Sequence, residues 1–546
     1  MASEYFNALR GVDCDEDKGV FMRFIPYLST IVGAILFYIA AQYLSPWHYI
    51  GVVICVLGAI IGTWDLIQTK HSILRNYPLV SHMRFIAESI RPEVMQYFIE
   101  TDTDGRPFDR SHRSVVYQRA KDELDEKPFG TQLDVYTEEY EWLLQTIAPK
   151  PKAKEPFRID IGGKACKHPY SASVLNISAM SFGALSANAI MALNKGAKKG
   201  NFFHDTGEGG CSKYHQENGG DLVWEIGSGY FGCRNEDGTF CADKFKETSQ
   251  IDQIKMVEIK VSQGAKAGHG GILPAPKVSA EIAAARGVPA GQDCISPAYH
   301  TAFSTPKGLL EFTATLRDLS GGKPAGFKLC IGKPSEFMGI CKAMLETEIY
   351  PDFIVIDGAE GGTGAGPIEF VDHMGTPLID GLILAQNILV GTGVRDKIKL
   401  GASAKITSAF EMARVMALGA DWCNAARAFM FSVGCIQALK CQTNECPVGV
   451  TTQDARRQRG LVVTDKAERV YNYHRNTLDD LSQVVAACGL NHPSEFTPHM
   501  LCHRTSALHH ESYANLFHWY GYEDLLNGKI CDQYSPHWEA SSPDHF

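Results

Sequence analysis

Three cysteines, Cys435, Cys441 and Cys446, fall within the run GCIQALKCQTNECPVG at 434–449. Thiolates are soft ligands. Three of them at close, uneven spacing, ending in Cys-Pro, suit an iron–sulfur cluster, either a three-iron form or one that takes a further ligand from elsewhere in the chain. Zinc favours paired Cys-x-x-Cys knuckles and a fourth ligand, which this segment does not supply. The plain alternative is structural burial, the usual fate of a single free cysteine. Read as ligands, the three thiols predict a redox-active protein.

A second set of candidates lies in short polar segments that follow apolar runs. Ser178 to Ser186 (SAMSFGALS) is small and polar, letting backbone approach a planar ring. Gly207-Glu208-Gly209-Gly210 sets one carboxylate in a flexible turn. Lys260 to Lys266 (KVSQGAK) brings cations and the amide of Gln263, and Asp357 to Ala365 (DGAEGGTGA) is glycine-rich and acidic. Any one such turn is ordinary, because loops need positive φ. Repeated at several strand ends, they predict one shared site. The glycines at 358–364 do not have the Gly-x-Gly-x-x-Gly spacing, and no acidic residue closes a second strand, so a dinucleotide-binding Rossmann domain is not expected.

Positioning these segments requires alternating strands and helices. Apolar runs at Val174–Ala179, Met256–Val261, Phe327–Ile331, Phe353–Ile356 and Ile398–Leu400 alternate with amphipathic stretches such as 187–198, 336–346, 382–389 and 408–418. That alternation predicts an α/β fold, a (β/α)8 TIM barrel over 153–455. The Pro/Lys-rich junction at 149–152 ends a polar, aromatic linking region, 71–152, with helical patches around His82 to Glu100. A His- and aromatic-rich tail, 456–546, is expected to be helical at 464–487.

The N-terminus differs in kind. Phe24–Leu44 and Trp47–Ile67 are two apolar stretches, each long enough to span a bilayer, joined by Ser45-Pro46. Residues 1–70 therefore predict a transmembrane helical hairpin. Arg10, Lys18 and Arg23 precede it, Lys70, Arg75 and Arg84 follow it, and the turn has no Lys or Arg, so both ends are expected on the cytoplasmic side. Asp65 is expected at the interface. The whole chain of 546 residues is 45% hydrophobic and carries a formal charge of −10. With no basic stripe, nucleic acid is not an expected partner. Its 16 cysteines form no repeated disulfide framework, which fits a reducing compartment for the catalytic part.

The segments KVSQGAKAGHGGILP (260–274), Ile295-Ser296-Pro297, DGAEGGTGAGP (357–367) and GCIQALKCQTNECPVGVTTQ (434–453) together resemble the synthase domain of glutamate synthase, from about 160 to 455. The membrane hairpin resembles that of stand-alone, FMN-binding members. The resemblance implies FMN in the barrel and a 3Fe-4S cluster on Cys435, Cys441 and Cys446. The implied reaction is the reduction of 2-iminoglutarate, formed from 2-oxoglutarate and ammonia, to glutamate. It places Met180, Ser181, Gly183, Gly361, Gly362 and Ala404 along the flavin, with Lys328 near its N1/O2 edge, where a cation stabilises charge on the reduced ring. Gln263, Lys266 and Arg286 fall on substrate-binding positions. Glu208 and Lys266 are the implied catalytic pair, Glu208 positioning the imine or giving its nitrogen a proton.

The sequence also departs from that pattern. His269 stands where the family has Glu, which alters the charge expected beside the substrate. Ala402 to Lys405 and Asn424 to Arg427 replace glycine-rich phosphate turns, so Arg427 and Lys405 are expected to hold phosphate by charge. The chain begins Met1-Ala2-Ser3 rather than with a nucleophilic Cys, so its ammonia is expected from free ammonium or a partner. Two alternatives remain: a related amine/keto-acid oxidoreductase such as N-methylglutamate synthase, and a membrane-tethered electron-transfer subunit. Ferredoxin, a reductase subunit or quinone is the expected electron donor, and a homo-oligomer is compatible with the sequence.

Overall fold

Eight short strands, Leu175–Ile177 (β1), His204–Asp205 (β2), Leu222–Ile226 (β3), Ile254–Lys260 (β4), Ala325–Leu329 (β5), Phe353–Asp357 (β6), Lys399–Ser403 (β7) and Trp422–Ala425 (β8), close into a barrel. This computed structural model describes residues 22–546; Arg10 and Lys18 lie outside them. Every strand runs parallel to its sequence neighbour, and β8 returns to β1 through Cys423↔Leu175, Asn424↔Asn176 and Ala425↔Ile177. The strands are buried along most of their length, since helices cover one side and packed side chains fill the other. No apolar run marked β2, β3 or β8. Strand β2 has only two residues, and Glu225 and Asn424 interrupt the other two.

Local signals fix where the covering helices begin. The side chain of Ser186 accepts the Ala189 N–H at 3.2 Å and opens the helix Ala187–Gly200. Ser408 and Glu411 form a reciprocal capping box at Ala409–Ala417. Proline takes the first position of Pro306–Leu319 and Pro334–Thr347, where its missing N–H costs no hydrogen bond.

The described chain divides into two compact units, one ending at Gly105 and one spanning Arg106–Phe546. In the second, the helix Arg110–Lys121 packs on the 25-residue helix Val463–Ala487. Glu141–Leu143 pairs antiparallel with Leu501–Arg504, which in turn pairs with His510–Ser512. The expected boundaries at 152/153 and 455/456 therefore fall inside this unit. Beyond Ala487 the tail consists of this small sheet, turns and short helices.

The first unit contains α1 (Ile25–Tyr43) and α2 (His48–Ile67), packed as a hairpin and both long and apolar enough to cross a membrane. Small residues permit their close approach: a Cβ on Gly62 would lie 2.3 Å from the Tyr27 ring. Asp65, in the last turn of α2, is fully buried. It accepts the Leu79 N–H at 3.0 Å and faces His82 Nε2 at 2.9 Å. The helix α3 (Ser81–Val94) follows and ends in a π turn, Met95–Ile99.

Candidate active site at the C-terminal mouth of the barrel

The loops after the strands enclose a cavity of about 1210 Å³, lined by Met180, Ser181, Glu208, Gln263, Lys266, Arg286, Lys328, Gly361, Gly362, Ala404, Arg427, Cys435, Cys441 and Cys446. Gly183 does not line it. Its φ of +105° shapes the turn behind the wall, and its carbonyl accepts from Gln453 Nε2 at 3.1 Å. The loops touch closely enough to demand glycine: a Cβ on Gly264 would fall 1.7 Å from the Gly358 carbonyl oxygen. His269 lies outside the lining, its ring beside Gly270 O and Phe370.

One end of the cavity gathers opposite charges. Lys260, the last residue of β4, places Nζ 2.7 Å from Glu208 and donates to Gln263 Oε1 at 2.8 Å. Burial alone would raise the Glu208 pKa, but the Lys260 ammonium, with Lys266 and Arg286, brings it down to about 2. Glu208 is therefore a carboxylate at neutral pH. This favours the positioning role expected of it over proton donation. Burial lowers Lys266 to about 8, and Lys260 adds to that. Its ammonium donates to Ala365 O at 3.0 Å.

Arg286 ends the helix Ala280–Arg286, which Ser279 caps. It donates to Phe182 O at 3.2 Å and lies 5.1 Å from the Phe231 ring centroid. Its buried Nε has no hydrogen-bond partner among the described residues, as expected of a cation built to receive an acceptor. Glu281, a conceivable helix partner, pairs instead with Lys213 at 2.7 Å.

At the floor, Lys328 of β5 contacts Glu225 and lies 3.4 Å from Glu258. Asp205, Glu225 and Glu258 bring carboxylate oxygens within 4.8 Å of one another, all buried. Burial would lower the lysine's pKa; Glu225, Glu258 and Asp205 together raise it well above the usual value. Burial and Glu225 push Asp205 up to about 7. Lys328 was expected here from the sequence; the three acids were not.

Arg427 opens the helix Arg427–Ser432, donates to Glu360 O at 2.6 Å and stacks 4.8 Å from the Phe108 ring centroid. Lys405 lines the same region, and a Cβ on Gly362 would lie 2.8 Å from Arg427 Nε. Two cations beside bare backbone suit a phosphate.

The three thiols share one wall. Among the described residues they do not close to the 4.8 Å spacing that the three carboxylates reach, which disfavours a single ion held by all three. Burial would raise Cys446, but N–H groups of Thr451, Val448 and Val450 and the Thr451 hydroxyl lower it and favour thiolate. Lys277, 2% exposed, donates to Ala184 O and, at 3.2 Å, to Cys441 O. It also went unmarked in the sequence. The donor set fits an iron–sulfur cluster: soft sulfur from buried Cys446 and half-buried Cys435 and Cys441, and a nearby cation.

Fold and cavity together define a TIM-barrel protein with a thiol-lined mouth. The family model described as "Conserved region in glutamate synthase" matches residues 136–491, and the chain belongs to this family. It is 37% identical over 489 residues to the glutamate synthase large subunit-like protein YerD of Bacillus subtilis, covering 82% of this chain and 93% of that one. Against the archaeal glutamate synthase [NADPH] of Methanocaldococcus jannaschii it is 33% identical over 318 residues, 58% of this chain and 59% of the relative. Among solved structures, the flavin-binding domain of baker's yeast flavocytochrome b2 aligns at 11% identity with a TM-score of 0.41, covering 78% of this chain and 85% of that one.

Proposed function

We propose that this chain is a membrane-anchored oxidoreductase that binds FMN and a 3Fe-4S cluster and reduces 2-iminoglutarate, formed from 2-oxoglutarate and ammonia, to glutamate. The reading rests on one observation: a single cavity joins a buried cationic grip, a cationic phosphate end and a wall of three thiols. Family membership supports the same reaction class.

When bound, the flavin supplies hydride chemistry and the cluster supplies single electrons. The protein's part is binding and charge. Lys266 and Arg286 hold the carboxylates of the substrate, Arg286 with a geometry suited to a bidentate grip. Gln263, held by Lys260 and 3.4 Å from Gly362 O, sets the edge of the pocket. Glu208 stays ionised and pairs with the positive iminium nitrogen. Lys328 presents a cation that stabilises negative charge on a reduced ring, while Arg427 and Lys405 hold its phosphate. Helices α1 and α2 are the two bilayer spans, with the barrel on the cytoplasmic side, and a ferredoxin, a reductase subunit or quinone supplies electrons.

The test mixes anaerobically reduced, detergent-purified full-length protein with 2-oxoglutarate and ammonium, following flavin absorbance and glutamate together. Reoxidation with stoichiometric glutamate is expected. Reoxidation only with methylamine would move the assignment to N-methylglutamate chemistry. No reoxidation of fully loaded protein would replace the enzyme with an electron relay.

A further inference from the structure

The helix α3 carries an apolar face that no described residue of its own unit covers. Met83, Ile86, Ile90 and Val94 follow the spacing i, i+3, i+7, i+11, one stripe of an α-helix, and Tyr97 and Phe98 extend it through the π turn. All six are exposed, Met83 at 71% and Phe98 at 83%. So large an uncovered apolar stripe is unusual on a water-facing helix.

Its place in the unit says what covers it. The Leu79 N–H and the His82 ring both bind Asp65, in the last turn of α2, and the Ser81 hydroxyl donates to Ile73 O at 2.9 Å. The start of α3 is therefore tied to the end of a span, at the depth where hydrocarbon gives way to headgroups. Arg84 and Arg91 project along one edge of the stripe. Glu88, 2.8 Å from Arg84 Nε, lies further round the polar side. Arginines flanking an apolar stripe extend their heads to phosphate while their stems stay among acyl chains. Lys70 and Arg75, in the connection, add positive charge on the same side.

We propose that α3 and its π turn lie in the plane of the membrane surface, with the apolar stripe among the acyl chains of an anionic leaflet, as a third membrane contact beside the two spans. The inference rests on reading α1 and α2 as spans. Geometry and charge favour a lipid surface over a second copy of the chain: the stripe begins where α3 is tied to the end of α2, and Arg84 and Arg91 line one of its edges, with Glu93 toward the other.

The test uses the full chain in nanodiscs of phosphatidylethanolamine and phosphatidylglycerol. Benzoylphenylalanine replaces Met83, Ile90 or Phe98 on the stripe, Glu88 on the polar face, and Ile35 or Val53 in the spans, one at a time. All are exposed side chains, and retained circular dichroism confirms folding of each variant. Lipid adducts after irradiation are expected at Met83, Ile90, Phe98 and both span positions, with none at Glu88. Lipid adducts at Ile35 and Val53 but not on the stripe would overturn this inference and leave the spans standing. Adducts from the stripe to the barrel or to a second copy would overturn it in favour of that partner. No lipid adducts at Ile35 and Val53 would remove the span reading and this inference with it.

Discussion

Glu225 and Glu258 stand directly in register on neighbouring strands of the barrel, both buried, with the ammonium of Lys328 reaching both. Two like charges so placed repel one another, and a third carboxylate, Asp205, adds to the cost. One lysine cannot neutralise three carboxylates, which is why burial and mutual repulsion favour protonation of Asp205 and Glu258. The floor of the cavity is thus a cation held in place by acids that share its charge.

That arrangement gives Lys328 a structural role beside the flavin contact proposed for it. Lys328→Met should destabilise the protein by about 3 kcal/mol or more, because removing one partner leaves buried charge uncompensated. It should also abolish retention of FMN. Adding Glu225→Gln, which removes the closest carboxylate partner of Lys328, to the same variant should restore part of the lost thermal stability without restoring the flavin. Equal melting temperatures for single and double variants would show that the two groups do not interact.

The pair of Glu208 and Lys260 predicts a pH signature. Burial pushes a carboxyl's pKa up, and the ammonium 2.7 Å away holds this one at about 2. In the unaltered protein Glu208 therefore contributes no ionisation near neutral pH. In Lys260→Met the burial effect is less opposed, the carboxyl titrates at higher pH, and the acid limb of kcat/KM should move up. Glu208→Gln should lose that limb altogether and lower kcat/KM by roughly tenfold to a hundredfold, the scale of one hydrogen bond to a charged group lost from the iminium substrate. A limb that stays in place in Lys260→Met would mean that Glu208 is not the group titrating.

Lys266 gives the opposite sign. Burial lowers its pKa to about 8, so its cation is present below that pH and is lost above it. Affinity of the oxidised protein for 2-oxoglutarate should be flat on the acid side and weaken as pH rises through about 8. Lys266→Met should remove the pH dependence and weaken binding by about 2 kcal/mol, the order of a hydrogen bond to a charged group. Calorimetric titration across the pH series checks both. Unchanged affinity in the variant would take Lys266 out of the substrate site.

Much of this site was legible because loops advertise themselves. The glycine-rich turns at 207–210 and 361–364, the strand-end lysines and the spaced thiols are short-range signals, and all reach one cavity. Asp205, Glu225 and Glu258 were not legible as a group. Each sits in a separate strand, and only the parallel pairing of β2, β3 and β4 brings them within 4.8 Å. A carboxylate inside an apolar strand, as in Trp224-Glu225-Ile226 or Val257-Glu258-Ile259, was the available hint. Lys277 gave no such hint, since its partners are carbonyls of residues far away in the chain. Gly183 stood in a motif that does reach the cavity, but its positive φ shapes the turn and keeps it off the wall.

The thiol wall carries the most direct prediction. Asn444 and Thr452 lock the cysteine loop through the Thr452 hydroxyl to Asn444 O at 2.7 Å and the Gln453 N–H to Asn444 Oδ1 at 2.6 Å, and Tyr117 donates to Cys435 O at 2.7 Å. These three contacts hold the loop without using the Cys441 sulfur. Cys441→Ser changes one soft donor to a hard one and leaves this scaffold intact, so it should lose iron while FMN content and melting temperature of the flavin-loaded protein change little. Metal analysis and the visible spectrum of the purified variant separate the two cofactors. Full iron content in Cys441→Ser would return the cysteine to packing, and loss of flavin together with iron would show that the thiol wall and the phosphate end fold as one unit.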